Sequence, residues 1–583
     1  MHEYVKKEWY VYGKKAPFND LSEKLGIDPV TVRILRNRDI ITEEEMRLYL
    51  NGTLNELYDA SALWDIVPAA RMIVDAVRKG ERIRVVGDYD VDGVCSAFIL
   101  CDGLRTIGAA VDYVIPDRVK DGYGINMSIV EKAHSDGISL ILTCDNGIAA
   151  IDELQAAKEY GMKVIVTDHH DIRLDDLGNE LLPPADHIVS AKLKSSEYPE
   201  KEICGAVTAW KLLKVIFENA GVPVSEWKKY LEFASLATIG DVMRLTGENR
   251  IIAKEGLLAM SCGPVNMGLR ELINVTGLSG KAISCFHVGF VIGPCINAGG
   301  RLETAEMALR LFMSDNEKEA HELACALKEL NDSRKYMTQK GAEEAFNEVI
   351  RSYQDDRVLM VYLPGLHESM AGIVAGRLKE KFGKPSFVIT DSSTETVDRD
   401  GTVHRILKGS GRSIENYNMF EELRAVEGLL FKYGGHPMAA GLSLYEENLS
   451  SLRKALNENC HLTDENLTQK IWIDAPMPMS YVTFNLVEEF ARLEPFGNGN
   501  EKPLFAEKGV RTVNMKVLGK NRNVLKMDLI SHEGRVFHGI MFGEADALKS
   551  ELEERHSISI IYYPQINEYN GQKTLQMQIE DIR

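Results

Sequence analysis

Short runs of β-branched and aliphatic residues alternate with helical stretches between Ile83 and His170, and this alternation constrains the fold more than any other feature. The runs are IRVVG, VDYVI, LILTCD and VIVTDHH, and helical segments follow at Gly93, Asn126 and Gly147. Strands separated by helices pair in parallel through right-handed crossovers. The first half of the chain is therefore predicted to be an α/β domain built on a parallel sheet.

The first predicted strand leads into GDYDVDG, in which Asp88, Asp90 and Asp92 lie two residues apart. Alternation along an extended backbone would bring the three carboxylates to one side, and Gly93 would let the chain turn into a helix. An EF-hand calcium loop is the obvious rival, but it requires a glutamate at its twelfth position, where Ile99 stands. A solvated acidic turn is the other alternative. Three like charges this close favour a bound cation.

Two later strands end in similar residues. Asp145 ends the third strand, and Asp168, His169 and His170 end the fourth. Ligands of parallel α/β sheets bind at the carboxyl ends of the strands, so we expect these side chains at one sheet edge. Each motif alone has an ordinary explanation: a common turn for Asp-Asn-Gly and a strand cap for paired histidines. Asp241, in TIGDVMRL, could complete the cluster or cap a helix.

Mixed aspartate and histidine ligands suit Mn²⁺ or Mg²⁺ better than structural zinc. With five or more ligands, two ions sharing a carboxylate are the natural arrangement. Such a pair activates water, so no side-chain nucleophile is needed. The expected reaction is phosphoester hydrolysis, and phosphoanhydride hydrolysis is its nearest competitor.

The rest of the chain indicates further domains. Helical periodicity continues over 206–260 and again over 303–353, where it could link two domains. A second α/β pattern (VLMVYL, GIVAGRLKEKF, SFVIT) ends near Cys460, and five short strands follow, with Asn570-Gly571 as a hairpin turn. These strands suit an OB-fold, with a sandwich fragment as the alternative. The predicted domains are an N-terminal extension at 1–60, a catalytic domain with a linker helix at 61–345, a smaller α/β domain at 346–462 and a β-barrel at 470–583.

The charge distribution bears on nucleic-acid binding. The net charge of −19 opposes it globally, but residues 505–535 contain seven Lys or Arg against three Asp or Glu. A merely solvated face is the alternative for this basic stretch. Tyr562, Tyr563 and Tyr569 are possible stacking platforms for bases, although alternating strand aromatics are more often core residues.

Cysteine use and hydropathy indicate the compartment. The nine cysteines are scattered, odd in number and never arranged as C-x-x-C, which argues against disulfides and zinc and indicates reduced core residues. The N-terminal residues lack the apolar run of a signal peptide, and no charge-free stretch of about 18 residues could cross a bilayer. We therefore expect a cytoplasmic protein without a membrane partner.

The motifs GDYDVDG, TCDNG and TDHHD, in this order, resemble those of the DHH phosphoesterase superfamily. ATIGDVMRLTGENR and GPCINAGGRLETA extend the resemblance, and HESMAGIVAGRLKEKFGKP, LKGSGRS and YGGHPMAAG resemble the DHH-associated domain. EPFGNGNEKPLF and the β-rich segment after it are similar to the RecJ single-strand exonucleases. Nearly the whole chain from about residue 25 is covered.

This resemblance implies two α/β domains facing each other across a groove, joined by a long helix, with an OB-fold that gathers the strand. It implies processive degradation of single-stranded DNA from the 5′ end to 5′ mononucleotides, in recombination and repair. A helicase and a single-strand-binding protein are the implied partners, and a monomer is expected. The implied metal ligands are Asp88, Asp90, Asp92, Asp145, His169 and Asp241. His170 would lie outside the ligand set or face phosphate. The implied catalytic residues are Asp90, Asp92, Asp145, His169 and His170.

The DHH-associated domain would bind substrate through KGSGRS. Gly409 and Gly411 would let backbone N–H groups form an anion nest, Arg412 would supply a bidentate donor, and Ser410 and Ser413 would bond phosphate oxygens. An ordinary glycine-rich turn is the alternative.

Three further residues belong to the expected substrate site. Gly435 and His436, in GGH, offer close backbone approach beside an imidazole. Arg301, in NAGGRL, would orient substrate, with a structural salt bridge as an equally good interpretation.

The chain departs from the family pattern in three places: LHESM at 366–370, Cys295 after Gly-Pro, and VSAK at 189–192. These positions are substrate-facing or packing positions, and every metal-ligand position is retained. Two rival functions remain: a phosphodiesterase of short RNA or cyclic dinucleotides, which the terminal β-rich segment disfavours, and an inactive single-strand-binding scaffold, which the retained ligands disfavour.

Overall fold

The computed structural model describes residues 5–118, 121–263, 266–397, 403–569 and 571–583. The helices are α1 Phe18–Leu25, α2 Pro29–Asn37, α3 Glu43–Asn51, α4 Ile66–Arg78, α5 Val91–Thr106, α6 Met127–Ser135, α7 Ile151–Glu159, α8 Gly205–Ala220, α9 Val224–Lys228, α10 Leu231–Gly240, α11 Gly247–Ser261, α12 Met267–Val275, α13 Cys285–His287, α14 Gly293–Leu302, α15 Glu306–Met313, α16 Glu317–Ser352, α17 Glu368–Phe382, α18 Met419–Ala425, α19 Leu449–Glu458, α20 Phe484–Ala491 and α21 Ala545–Glu553.

The strands are β1 Lys7–Val11, β2 Arg82–Val86, β3 Ala110–Val114, β4 Leu140–Cys144, β5 Lys163–Thr167, β6 His187–Val189, β7 Leu359–Tyr362, β8 Ser386–Val397, β9 Val403–Arg412, β10 Lys432–His436, β11 Ala439–Tyr445, β12 Gln469–Ile473, β13 Ala475–Pro476, β14 Phe505–Leu518, β15 Val524–Ile530, β16 Val536–Phe542, β17 Ile558–Tyr569 and β18 Gln572–Ile582. Within the described ranges, no helix is long and apolar enough to cross a membrane.

The chain divides into two compact units, and the division falls within the long helix α16. One unit contains Lys14–Asn331 and Asn485–Lys502, and we call it the sheet unit. The other contains the N-terminal segment to Gly13, Asp332–Phe484 and Pro503–Arg583, and we call it the barrel unit.

The sheet unit is built on five parallel strands in the order β3-β2-β4-β5-β6. One face packs on α6 and α7, and the other packs on a larger layer that includes α4, α5, α8 and α10. Strands covered on both faces are apolar almost throughout, which is why runs such as LILTC are fully buried. The predicted parallel α/β domain is confirmed.

The barrel unit contains a second α/β layer. Its sheet has the order β10-β11-β9-β8-β7, in which β7 and β8 pair in parallel and the other described pairs are antiparallel. Helix α17 and the end of α16 cover one face, and α18 and α19 cover the other. The smaller α/β domain predicted from sequence is therefore present.

The C-terminal strands close into a barrel in the order β14-β15-β16-β18-β17, and β17 pairs back with β14. Strands β16 and β18 are parallel, and α21 lies between β16 and β17, which is OB-fold topology. Asn570 of the predicted hairpin lies outside the described residues. Tyr562 and Tyr563 are buried, and the Tyr562 hydroxyl donates to the Met477 carbonyl, so their interpretation as stacking platforms is wrong. The Tyr569 side chain is outside the described part.

Sequence patterns assigned residues 1–60 to an N-terminal extension and predicted no strand there, so they missed β1. Strand β1 pairs in parallel with β12, and Lys7 and Trp9 both donate to Asp581. The pairing is long-range, so no local pattern reveals it. The cysteine expectation holds only in part: Cys95, Cys101, Cys144, Cys204 and Cys295 are buried, but Cys262 is exposed.

One arginine fixes residues 485–502 within the sheet unit. The buried guanidinium of Arg250 donates to the carbonyl oxygens of Tyr49, Arg492, Leu493 and Glu494 at 2.7 to 3.2 Å. It also stacks 3.9 Å from the centre of the Tyr49 ring. The five planar donors of an arginine make this multiple contact possible.

Replacing Arg250 with methionine should lower the midpoint of thermal unfolding by roughly 5 °C, because each buried carbonyl left without a donor costs about 1–3 kcal/mol. Circular dichroism would measure the shift. Arg78→Met is the matched control, since that side chain is 68% exposed and forms a surface pair with Asp75. An Arg250→Met protein that melts with the control would contradict this role.

Candidate metal centre

The three aspartates of GDYDVDG do not share one stretch of extended backbone. Asp90 is the N-cap of α5, and its Oδ1 accepts from the backbone N–H groups of Asp92 and Gly93 at 3.0 and 3.1 Å. Asp92 lies in the first turn of α5. The expectation that an extended backbone aligns the three carboxylates is therefore wrong, because the helix already begins at Val91.

Asp92 is anchored at the start of α8. Its two carboxylate oxygens accept from the N–H groups of Gly205 and Ala206, each at 2.7 Å. Helix N-termini present unpaired donors and partial positive charge, which stabilise a carboxylate. Gly205 also lies against Asp145, where an added Cβ would come within 2.6 Å of the Asp145 Cβ. Glycine at this position lets the end of β4 and the start of α8 meet.

Two buried carboxylate oxygens at this sheet edge, Oδ2 of Asp88 and Oδ1 of Asp145, accept no hydrogen bond from the described residues, and the ring nitrogen near Asp145 Oδ1 belongs to His169, whose pKa is lowered. Asp145 follows β4 with a φ of 61°, in the left-handed region that aspartate tolerates. A buried anionic oxygen without a donor is costly unless a cation compensates its charge. These two atoms are therefore suited to ligate a cation.

Asp168 organises the turn after β5. Its Oδ1 accepts from the N–H groups of His169 and His170 and lies 2.8 Å from Nδ1 of His170. Its Oδ2 accepts from the Ile148 N–H at 2.9 Å. These contacts use both carboxylate oxygens of Asp168. Asp168 therefore orients His170, and the His169 ring is free to contact the cluster.

His169 lies at the centre of the cluster. Its Nε2 is 3.1 Å from Asp145 Oδ1, 3.5 Å from Asp92 Oδ2 and 3.7 Å from Asp241 Oδ2. Asp241 is the C-cap of α10. Two sets of ligand atoms lie within 4.8 Å of one another: Asp145, His169 and His170, and Asp92, His169 and Asp241. The residues that the sequence placed at separate strand and helix ends therefore meet at one sheet edge.

The carboxylates of this cluster raise one another's proton affinity. Burial and the charge of Asp90 raise the pKa of Asp88 to about 8. Burial and the charges of Asp92 and Asp90 raise the pKa of Asp241 to about 8. The pKa of Asp145 is raised in the same way. Crowded carboxylates of this kind are stabilised in their charged form by a divalent cation.

His170 has the opposite electrostatic character. Burial alone would lower its pKa, but the hydrogen bond and charge of Asp168 raise the pKa of His170 to about 9. Burial dominates at His169, and the pKa of that imidazole is lowered. A neutral imidazole is the form that ligates metal, and a protonated one carries charge to an anion. The two adjacent histidines therefore suit different roles.

The donor set fits hard divalent cations. It combines carboxylate oxygens that have no donors with a neutral imidazole, and no described cysteine belongs to either ligand set. Mn²⁺ and Mg²⁺ prefer such oxygen-rich sites. The predicted cofactor therefore agrees with the chemistry of the residues present.

Sequence reasoning missed two residues that shape this site. The Tyr123 hydroxyl donates to the Asp145 carbonyl at 2.6 Å and lies 3.0 Å from Nδ1 of His170. Asn146 donates to the carbonyls of Val86 and Cys144, which ties the ends of β2 and β4 together. Asn146 lies in the TCDNG motif, which was the available signal, whereas Tyr123 lies in a loop without one.

The expected anion nest in KGSGRS is wrong. Gly409 to Arg412 lie in β9, whose backbone pairs with β8 on one side and β11 on the other. Glycine is needed at 411 because a Cβ would come within 2.3 Å of Met419 and 2.6 Å of Phe387. Ser413 is buried, and its hydroxyl donates to the Tyr417 carbonyl. Ser410 and Arg412 instead share the face of β9 opposite Gly409 and Gly411. On that face Arg412 lies over Gly372 of α17.

The remaining expected substrate residues occupy two places. Gly435 and His436 are exposed at the end of β10, and Gly435 has a φ of 147°. Arg301 lies in the last turn of α14, and its charge acts on Tyr89 in the loop after β2. Gly300 beside it approaches the Tyr89 carbonyl, where a Cβ would lie within 2.6 Å. Arg301 is therefore near Tyr89, the residue between Asp88 and Asp90.

Three domain families match the chain. The DHH family N-terminal domain matches residues 82–240, the DHHA1 domain matches 355–462 and the RecJ OB domain matches 473–581. The single-stranded-DNA-specific exonuclease RecJ of Bacillus subtilis is 35% identical over 563 residues, which is 96% of this chain and 69% of that protein. The chain belongs to the RecJ family. The RecJ of Escherichia coli is 30% identical, over 95% of this chain and 96% of that protein.

Solved structures of RecJ agree with this fold. The crystal structure of RecJ in complex with Mn²⁺ from Thermus thermophilus superposes with a TM-score of 0.81 at 28% identity, over 100% of this chain and 80% of that one. A structure of exonuclease RecJ bound to manganese superposes with a TM-score of 0.59 at 34% identity, over 69% of this chain and 96% of that one. RecJ structures thus bind the kind of cation that the cluster fits.

Asp145→Asn should abolish the stabilisation of this RecJ-family chain by Mn²⁺ while raising the melting temperature of the metal-free protein. The reason is that the substitution removes both a ligand and a source of repulsion between buried carboxylates. Saturating Mn²⁺ at about 100 times its Kd should stabilise the wild type by about 2.7 kcal/mol.

Scanning calorimetry with and without Mn²⁺ measures both effects. Asp152→Asn, at an exposed position in the first turn of α7, is the matched control and should respond to Mn²⁺ as the wild type does. An Asp145→Asn protein that retains the full Mn²⁺ shift would refute the assignment.

Proposed function

We propose that the chain is a metal-dependent exonuclease that degrades single-stranded DNA from the 5′ end and releases 5′ mononucleotides. The observation that carries this proposal is the cluster of buried carboxylates and His169 in a chain of the RecJ family. The RecJ OB domain at 473–581 disfavours the alternative of a phosphodiesterase for short RNA or cyclic dinucleotides. Intact ligand positions disfavour an inactive scaffold.

In this proposal six side chains hold the cations: Asp88, Asp90, Asp92, Asp145, His169 and Asp241. Bound Mn²⁺ or Mg²⁺ ions supply positive charge at the scissile phosphate and activate water for attack. The protein's own contribution is to keep these ligands buried and fixed, through the α8 N-terminus at Asp92 and the N–H groups that Asp90 caps.

We assign His170 to the substrate phosphate. Asp168 holds it in the protonated form, and Tyr123 lies against its ring. An imidazolium at the edge of the cluster stabilises negative charge that develops on a phosphate oxygen. Arg301, in the last turn of α14, would orient the same phosphate from the side of Tyr89.

The barrel unit supplies the proposed grip on the strand. Ser410 and Arg412 share one face of β9, with Lys408 two residues before Ser410 on the same face. Gly435 and His436 extend the proposed substrate site from β10. In the OB barrel, Lys516 and Lys526 are directly opposed on β14 and β15. Opposed like charges are unfavourable unless an anion lies between them, which supports a DNA backbone on this surface.

We further propose that the enzyme acts as a monomer in the cytoplasm, in recombination and repair. A helicase that supplies unwound strands and a single-strand-binding protein are its proposed partners. The proposed functional domains are catalysis at 61–345, substrate binding at 346–462 and strand binding at 470–583.

Digestion of a long single-stranded DNA with Mn²⁺, labelled at either end, tests the function. The wild type should release a labelled 5′ mononucleotide early and leave duplex DNA and RNA largely intact. Asp145→Ala should lose about a thousandfold or more in rate, because activation of water requires the ligand set. Asp152→Ala should cut at the wild-type rate.

Two other results would replace this proposal. If single-stranded DNA stays intact while short RNA or a cyclic dinucleotide is cleaved, the result would favour the phosphodiesterase alternative. A protein that binds single strands and never cuts them would favour the inactive scaffold.

A further inference from the structure

A large apolar cavity in the sheet unit has no part in the function proposed above. It has a volume of about 910 Å³, within the range of pockets that enclose small ligands. Its walls come from the ends of α10 and α11, from residues 283–290 and from residues 491–502. All of these segments lie in the same compact unit as the metal cluster.

Three consecutive residues link the cavity wall to the metal cluster. Gly240 and Val242 line the cavity, and Asp241 between them has its Oδ2 3.7 Å from Nε2 of His169. Val242 has a φ of 57° and is 64% exposed. The left-handed region is strained for a β-branched residue, and such strain persists where the surrounding structure enforces it. The loop that presents Asp241 to the cluster thus presents Val242 to the cavity.

Two aromatic rings stand at the cavity wall. Phe286 and Phe290 are 62% and 65% exposed, and their rings stack with centroids 5.1 Å apart. Phe290 lies in the π-helical turn Val288–Ile292, a type of turn found frequently at functional sites. Large apolar rings left this open to water indicate a surface that a ligand covers.

Hydrogen bonds fix the wall formed by residues 491–502 to the loop that follows Asp241. The Asn498 side chain donates to the Val242 carbonyl at 2.9 Å, and the Leu245 N–H donates to the Asn498 carbonyl at 2.7 Å. Lys254 and Lys502 also line the cavity. Glu494 is the one acidic residue among the described lining residues, so the two lysines leave an excess of positive charge beside the aromatic faces. Sites that hold single-stranded nucleic acid combine these two features.

We propose that this cavity binds nucleobases of the single strand beside the cleaved bond, stacked on Phe286 and Phe290. The inference rests on the proposed function, because a phosphodiester at the metal cluster brings its neighbouring nucleosides to the Asp241 loop. Stacking on aromatic rings tolerates every base, which suits an enzyme that must pass along any sequence. An apolar peptide is the competing occupant. If the cavity binds a peptide instead of bases, digestion of naked DNA should not depend on these rings.

The double variant Phe286→Ala/Phe290→Ala tests the proposal in the full-length protein. We expect KM for single-stranded DNA to rise about tenfold while kcat changes less than about twofold, because the rings bind substrate without touching the reacting phosphate. Both rings are exposed, so the melting temperature and its shift with Mn²⁺ should equal those of the wild type. Tyr160→Ala, which removes an exposed ring stacked on His134 at the end of α7, is the matched control.

Strands with a single abasic position locate the contact. The wild type should lose about tenfold in kcat/KM when the abasic position reaches the cavity, whereas the double variant should be insensitive to it. Equal abasic sensitivity in both proteins, or an unchanged KM on naked DNA, would overturn the cavity proposal. Loss of the Mn²⁺-dependent rise in melting temperature in the double variant would also overturn it, because the rings would then act through the Asp241 loop. Failure of the wild type to cut any DNA would instead overturn the proposed function.

Discussion

Repulsion among buried carboxylates at one edge of the parallel sheet is the constraint on which the rest of the sheet unit depends. Asp88 and Asp145 each bury an oxygen that has no donor in the described structure. The charged form of such a group is stabilised when cations complete it. The surrounding framework satisfies the other oxygens: the α8 N-terminus holds Asp92, and Gly205 permits the close approach of Asp145. The cost in stability is thus concentrated where a metal can offset it.

The same loops connect the metal cluster to the binding of substrate. Burial lowers the pKa of His169, whereas the hydrogen bond and charge of Asp168 raise the pKa of His170, so that His169 suits ligation and His170 carries charge. Gly240 and Val242, which flank Asp241 in sequence, line a cavity whose wall at residues 491–502 is held by Arg250 and Asn498. Residues 485–502 therefore belong structurally to the sheet unit, although the chain continues from them into the OB barrel.

Sequence patterns predicted the elements whose burial is local and regular. The parallel strands appear as unbroken apolar runs, and the barrel strands appear as alternating ones. Patterns failed where contacts between distant segments decide the structure. The glycine-rich sequence around Gly411 is typical of a turn, yet Gly411 lies in an interior strand. Glycine is needed there because Phe387 and Met419 occupy the space that a side chain would fill. The turn at Asp90 likewise starts a helix two residues before Gly93.

Anomalous diffraction from crystals grown with Mn²⁺, recorded at the manganese edge, tests the metal centre directly. We expect anomalous density among Asp88, Asp90, Asp92, Asp145, His169 and Asp241, and its loss in Asp145→Asn crystals. Density elsewhere in the chain with none in this cluster, at a Mn²⁺ concentration that supports digestion, would contradict the claim that cations complete these carboxylates.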